Sequence, residues 1–207
     1  AELFEKHGIP CPKTLIVHRD NRSEVAPVLG FPCVLKQPDS AFSMGVVKVN
    51  DASELDQKLD LLLASSELVV AQKFEPSSFD WRVGVIDGRP LHVCRYHMAK
   101  GHWQIRKAEG QRKPLYGKVD TMDAAEAPKE VIDCALKAAN LVGRGLYGVD
   151  LKEVNGRILV IEINDNPSID AGFEDGFMGE ALYLEIMSTF LRRLDALRDS
   201  TWENERR

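Results

Sequence analysis

The sequence predicts an α+β fold, and three observations predict it. Apolar strands come as neighbouring pairs around tight turns, with Asp87-Gly88 and Asn155-Gly156 the clearest turn dipeptides. Helical stretches stand apart from those pairs and do not alternate with them. The elements also gather into two groups. Two small lobes are therefore expected, meeting near residues 72 to 80 and bounded as 1–72 and 73–197, with a frayed tail at 198–207.

Each element has a local reason. Ala1 to His7 reads as a helix stopped by Gly8. Ile9 to Lys13 is extended, since residues before proline avoid the helical region. Thr14 to His18 is a strand, and Ser23 to Leu29 a short helix ended by Gly30. Cys33 to Gln37 and Gly45 to Val49 are strands around a loop of small residues. Ser53 is the expected cap of an amphipathic helix to Ser65, with Leu55, Leu59, Leu62 and Leu63 inward. Glu67 to Phe74 is a buried strand. Trp81 to Ile86 and Leu91 to Met98 form a hairpin, and Trp103 to Ile105 a further short strand. Residues 108 to 120 are polar and read as a loop. Pro128 opens a helix to Val142, and a last helix runs from Gly179 to Leu197.

Size and composition narrow the function classes. A chain of 207 residues holds one domain or two small ones. A formal charge of −5 argues against nucleic acid as a direct partner. No apolar run approaches a membrane span, and the first residues are too polar for a signal peptide, so no membrane partner is expected. Cys11, Cys33, Cys94 and Cys134 lack paired metal spacing and read as reduced thiols of a cytoplasmic protein. The five histidines show no zinc-type spacing. The chain begins at Ala1 on a helix already under way, which is expected of a piece of a longer protein.

The ribbon from Gly148 to Pro167 carries the strongest chemical signal. Val149 and Leu151 alternate with Asp150 and Lys152, while Leu159, Ile161 and Ile163 alternate with Val160, Glu162 and Asn164. Asp150, Glu162 and Asn164 then project together. Two carboxylates and an amide oxygen suit a hard cation such as Mg²⁺, which keeps waters and phosphates in its shell. A two-residue turn at Asn155-Gly156 would set Asp150 opposite Ile161. A three-residue loop pairs Val154 with Ile158 and sets Asp150 opposite Glu162, and the hydrophobic pattern favours it. The competing reading is an ordinary hairpin with a polar outer face.

Other residues suit polyphosphate chemistry. Lys36 lies in an apolar strand, where an ammonium must reach solvent or an anion. Ser40, Ser43 and Gly45 belong to the small-residue loop after it, where backbone N–H groups can approach a phosphate. No Walker motif is present. Gln72, Lys73 and Phe74 end a buried strand and offer backbone groups and an apolar wall to an adenine. Asp80 could accept from ribose hydroxyls. Arg82, Arg95, Lys100, His102 and Gln104 form a polar, mainly basic series suited to gripping negative groups. Snorkelling lysines and surface ion pairs are the plainer reading of each one alone.

Taken in order, Lys36, the small-residue loop, Gln72-Lys73-Phe74, Asp80-Trp81-Arg82, Arg95, Asp150 and Glu162-Ile163-Asn164-Asp165-Asn166-Pro167 resemble the ATP-grasp superfamily, and within it the RimK-like carboxylate–amine ligases. The resemblance covers residues 8 to 195. It implies an ATP-grasp fold of two α+β lobes with a nucleotide cleft between them. It also implies a reaction in which ATP phosphorylates a carboxylate, an amine attacks the acyl-phosphate, and an amide and ADP form. Lys36, Ser40, Ser43 and Gly45 would hold phosphates; Gln72, Lys73 and Phe74 the adenine; Asp80 the ribose; and Gln104 would join the nucleotide contacts. Asp150, Glu162 and Asn164 would hold one or two Mg²⁺, with Mn²⁺ an alternative. Arg82, Arg95 and Asn166 would face the acyl-phosphate. The resemblance implies small-molecule or peptide substrates, glutamate ligation as one option, and self-association as another. Two departures stand out: the phosphate loop has the single glycine Gly45, and the family's N-terminal domain is absent from this chain. An ATP-binding regulatory module without turnover and a phosphotransferase acting on a hydroxyl remain the alternatives.

Overall fold

The computed structural model describes residues 1–38, 45–107 and 115–205, with side chains described to residue 199. The chain divides into two compact units, Ala1–Pro76 and Ser77–Arg207.

The first unit opens with α1 (Glu2–Lys6) and β1 (Thr14–Val17). A 3₁₀ turn leads into α2 (Val25–Leu29), followed by β2 (Cys33–Lys36), β3 (Val46–Val49), α3 (Ala52–Ser65) and β4 (Val69–Lys73). The four strands form an antiparallel sheet in the order β1-β4-β2-β3. Alternation sends Val17, Cys33, Leu35, Val49, Val69 and Ala71 to one face, where Val25 and Leu29 of α2 and Leu55, Leu59 and Leu63 of α3 close the core. The cap of α3 is Asp51 and not Ser53: its Oδ1 accepts from Glu54 N at 2.9 Å, while the Glu54 carboxylate accepts from Asn50 N at 2.7 Å. The two bonds satisfy the N–H groups of Glu54 and Asn50 at the helix start.

The second unit contains β5 (Phe79–Ile86), β6 (Arg89–His97), β7 (Arg106–Lys107), β8 (Leu115–Tyr116), β9 (Val119–Met122), α4 (Lys129–Val142), β10 (Leu146–Val154), β11 (Arg157–Asn164) and α5 (Glu180–Glu205). Five strands form an antiparallel sheet in the order β11-β10-β5-β6-β9. Helix α4 packs across it through Val131, Ala135, Ala138 and Ala139. Helix α5 buries Leu182 and Ile186 against Ile86 and Leu91. No helix among the described residues is long and apolar enough to cross a membrane.

Three elements differ from expectation. The stretch 108 to 120, which reads as loop, carries strand at its described end: Leu115–Tyr116 pairs with β7, and Val119 and Asp120 begin the edge strand β9, whose pairing with β6 overrides their polar composition. Trp103 to Ile105 is irregular, and the short strand starts at Arg106. Helix α5 continues to Glu205, past the expected end at Leu197.

The β10–β11 turn is also a correction. Val154 pairs with Arg157, so the loop has two residues, Asn155 and Gly156, with φ of 52° and 73°. Asp150 nevertheless faces Glu162, because a bulge intervenes: Leu151 pairs with Val160, leaving Ile161 as the extra residue. An alanine at Gly156 meets nothing within 4 Å, so only the left-handed backbone is strained. Gly156→Ala is expected to lower stability by about 1 kcal/mol in urea unfolding, with the Asp150–Glu162 register kept.

Candidate functional site

Register places the chemistry of the second unit on one face of its sheet. Arg82 lies opposite Asp150 on one side and Cys94 on the other, and Asp150 lies opposite Glu162. The same face therefore carries Arg82, Cys94, Asp150 and Glu162, with Asp80, Tyr96, Lys152 and Asn164 two positions along their strands.

Asp150 is held by two side chains. Arg82 Nε donates to its Oδ1 and an Arg82 terminal nitrogen to its Oδ2, both at 2.7 Å. Asn164 Nδ2 donates to Oδ2 at 3.2 Å and to the Gly148 carbonyl at 3.4 Å. Both Arg82 and Asp150 side chains are 17% exposed. Burial alone would favour a neutral Arg82, yet the carboxylate of Asp150 more than offsets it and raises the guanidinium above its ordinary value. On its other side Arg82 lies over the Tyr96 ring, 5.2 Å from the centroid.

A second charged group adjoins this one. Lys152 Nζ pairs with Asp80 Oδ1 and bonds Ser77 Oγ at 2.7 Å, and Ser77 Oγ donates to Asp80 at 2.9 Å. Burial raises the Asp80 carboxyl above its usual value, with Lys152 and Ser77 working against that rise.

The segment after β11 folds back over this face. Pro167 occupies the space above Gly148, where a Cβ would lie 2.8 Å from the proline Cβ. The buried Glu174 accepts from the Tyr96 hydroxyl and from Asp170 N, the latter at 2.8 Å. His92 fills the space over Gly84. It is 4% exposed and its Nδ1 has no hydrogen-bond partner. Burial, with Arg82 adding, lowers the imidazole to about 4, so it is neutral at pH 7. Burial pushes the Cys94 thiol up to about 12, which makes it inert.

The other sequence candidates are placed as follows. Arg95 is not brought together with Arg82. It pairs across the hairpin with Trp81, on the opposite sheet face, lies over the Phe79 and Trp81 rings, and approaches Asp120 at 3.8 Å. Asn166 is exposed just past β11. Gln104 Oε1 lies within hydrogen-bond distance of His102 Nε2, at 3.1 Å, and the Gln104 backbone carbonyl accepts from Ala99 N. In the first unit, Lys36 and Gln72 share the sheet face opposite the core, and Lys48 shares it too, since Lys48 pairs with Val34 and Val34 with Gln72. Gln72 donates to Thr14 Oγ1 at 3.1 Å. The Lys48 ammonium lies 4.7 Å from the centre of the Phe74 ring. Lys73 falls on the other face, near Glu75 at 3.7 Å. Gly45 has φ of 73°, and its carbonyl accepts from Gln37 N. Ser40 and Ser43 lie outside the described residues.

Sequence reasoning missed Lys48, Tyr96, Lys152 and Glu174. For Lys152 the signal was available, since it stands two residues from Asp150 on the same strand. Glu174 left none, because its partner is on a distant strand.

Among the described residues no three His, Cys, Asp or Glu side chains converge into a metal group. The available set is two adjacent carboxylates and an amide, all oxygen donors. That chemistry fits Mg²⁺, which completes its octahedron with water and phosphate. The Asn164 amide oxygen takes no part in the bonds its nitrogen makes.

Comparison with known proteins adds to this geometry. The model of the RimK-like ATP-grasp domain matches residues 1–176. A probable alpha-L-glutamate ligase of Vibrio atlanticus (strain LGP32) is 22% identical over 173 residues, covering 82% of this chain and 54% of that protein. The crystal structure of D-alanine–D-alanine ligase from Bacillus anthracis superposes with a TM-score of 0.72 at 21% identity, covering 92% of this chain and 65% of that one. The ATP-grasp ligase PsnB, complexed with a phosphomimetic variant of its minimal precursor, Mg and ADP, gives 0.64 at 22% identity over 91% of this chain and 56% of that one. The chain spans about half the length of the curated relatives it matches.

Proposed function

Because the chain belongs to the RimK-like ATP-grasp family, we propose that it is part of an ATP- and Mg²⁺-dependent carboxylate–amine ligase that forms an amide through an acyl-phosphate. The observation that carries this reading is Asp150 facing Glu162, with Asn164 bonded to Asp150. In the second unit Asp150, Glu162 and Asn164 are the assigned ligands for one or two Mg²⁺. Bound there, the ion would neutralise charge on the terminal phosphates. Arg82, held by Asp150, presents a fixed cation beside them, and its anchoring means no reorganisation as charge develops. Asn166, exposed after the ribbon, is assigned to the same step. In the first unit Lys36 and Lys48 share a face and are assigned to phosphates, with Gln72 and Phe74 to the nucleotide base. Arg95, on the other sheet face of its unit, is assigned a weaker part than Arg82.

No serine or cysteine nucleophile is needed, in keeping with the inert Cys94 thiol. Glutamate is the first substrate to test, because a matched relative is named a probable alpha-L-glutamate ligase. The test is ADP release by the full-length protein across amino acids and peptides, with mass spectrometry of products. Amide and ADP in equal amounts support the ligase. Phosphorylated product without amide replaces it with a phosphotransferase. Mg·ATP binding by thermal shift without turnover for any pair replaces it with a regulatory module.

A further inference from the structure

We propose that α5 is a self-association surface on which a second copy of this chain packs its own α5 antiparallel. The inward side of α5 is used up inside the unit, where Leu182, Ile186 and Thr189 are buried. A different side carries Leu184, Met187, Leu191 and Leu194, which are 58–66% exposed. Their spacing of three, four and three residues is the seam of a coiled-coil pair. Tyr183 and Phe190, each 38% exposed, widen it. Scattered exposed leucines need no explanation, whereas a continuous stripe on one helix does.

Two features of the helix choose the occupant. The first is area. These six residues expose roughly 700 Å² between them, close to the ~800 Å² that each partner contributes to a standard interface. The second is charge. Continuing the seam by one step at each end reaches Glu180 at the start and Arg198 at the end, so the row reads Glu180, Leu184, Met187, Leu191, Leu194, Arg198. The row is balanced about its middle. Two copies laid antiparallel across a twofold axis set Leu184 near Leu194, Met187 near Leu191, and Glu180 beside Arg198 at both ends. A parallel pair would set Glu180 against Glu180 and Arg198 against Arg198. Arg198 already touches Asp195 at 3.3 Å and Asp199 at 3.7 Å along its own helix, but it is 64% exposed, and such surface pairs are weak. The end charges therefore select orientation, and the apolar seam provides the association.

Sedimentation velocity on the full-length protein tests this, independently of any ligase activity. Wild type is expected to be dimeric at concentrations up to about 100 μM, the range in which contacts of this size associate. Leu191→Glu is expected to be monomeric with an unchanged circular dichroism spectrum, since the side chain it replaces is exposed. Glu180→Arg is expected to weaken the dimer at least about tenfold, through two like-charge contacts, and Glu180→Arg with Arg198→Glu to restore it. A monomer at every concentration overturns the proposal. Single and double charge variants with equal dimer affinity overturn the antiparallel arrangement. Hydrogen-exchange protection of the seam in a monomer overturns it as well, because something other than a second copy then covers the stripe.

Discussion

Asp150→Asn combined with Glu162→Gln is expected to cut ADP release by about a thousandfold or more, the scale on which charge stabilisation by a bound metal acts. The two side chains are cross-strand neighbours, so the double variant removes both carboxylates from one place while keeping their shapes. The consequences for stability are unequal. Asp150 accepts two bonds from Arg82, and an amide can accept only one of them, so the Asp150 change leaves a mostly buried guanidinium short of an acceptor. Glu162 is exposed, and its change is expected to move the melting temperature less than the Asp150 change does. Glu162→Gln alone therefore separates lost chemistry from lost structure. Turnover at the wild-type rate in the double variant, with folding verified by circular dichroism, would sink the ligase assignment.

Acid is expected to destabilise the second unit through His92 by up to roughly 3 kcal/mol. The folded imidazole is depressed from its ordinary 6.5 to about 4 by burial, with Arg82 adding. Between those values the unfolded chain binds a proton that the folded chain refuses. The stability contributed by neutral His92 is therefore complete above pH 6.5, falls as the pH drops toward 4, and changes no further below that. Asp80 acts in the opposite sense, since its raised carboxyl favours the folded state at lower pH. Asp120, held near 2 by Lys118 and His97, adds a separate loss only below its ordinary value. The contrast that isolates His92 is urea unfolding of wild type against His92→Phe at pH 7, 5.5 and 4.5 (about these values). Phenylalanine fills the space over Gly84 without titrating. The gap between the two proteins should close or reverse as the pH falls. Parallel curves would refute the assignment.

Periodicity was enough to read most strands, the three main helices and the acidic ribbon, because a half-buried strand has to alternate. It failed where a single extra residue changes parity. The sequence puts Arg82 and Arg95 in one basic series on partner strands, and a regular ladder from the Asp87-Gly88 turn would set them on one face. The bulge at Gly84/Val85 moves the pairing by one, which turns Arg95 to the far side. A second bulge works the other way: it aligns Asp150 with Glu162 although the turn is one residue shorter than the hydrophobic pattern predicts. Edge strand β9 escaped because its pairing with β6 is a long-range contact that no local pattern announces. The Tyr96–Glu174 bond and the seat of His92 over Gly84 were hidden for the same reason.

The bulge at Ile161 has an engineering consequence. Alignment of the acids is stored in the middle of the ribbon, so the exposed Asn155-Gly156 tip carries no information about them. A fluorophore or an affinity peptide grafted at that tip should report on the hairpin while the acidic pair stays where it was.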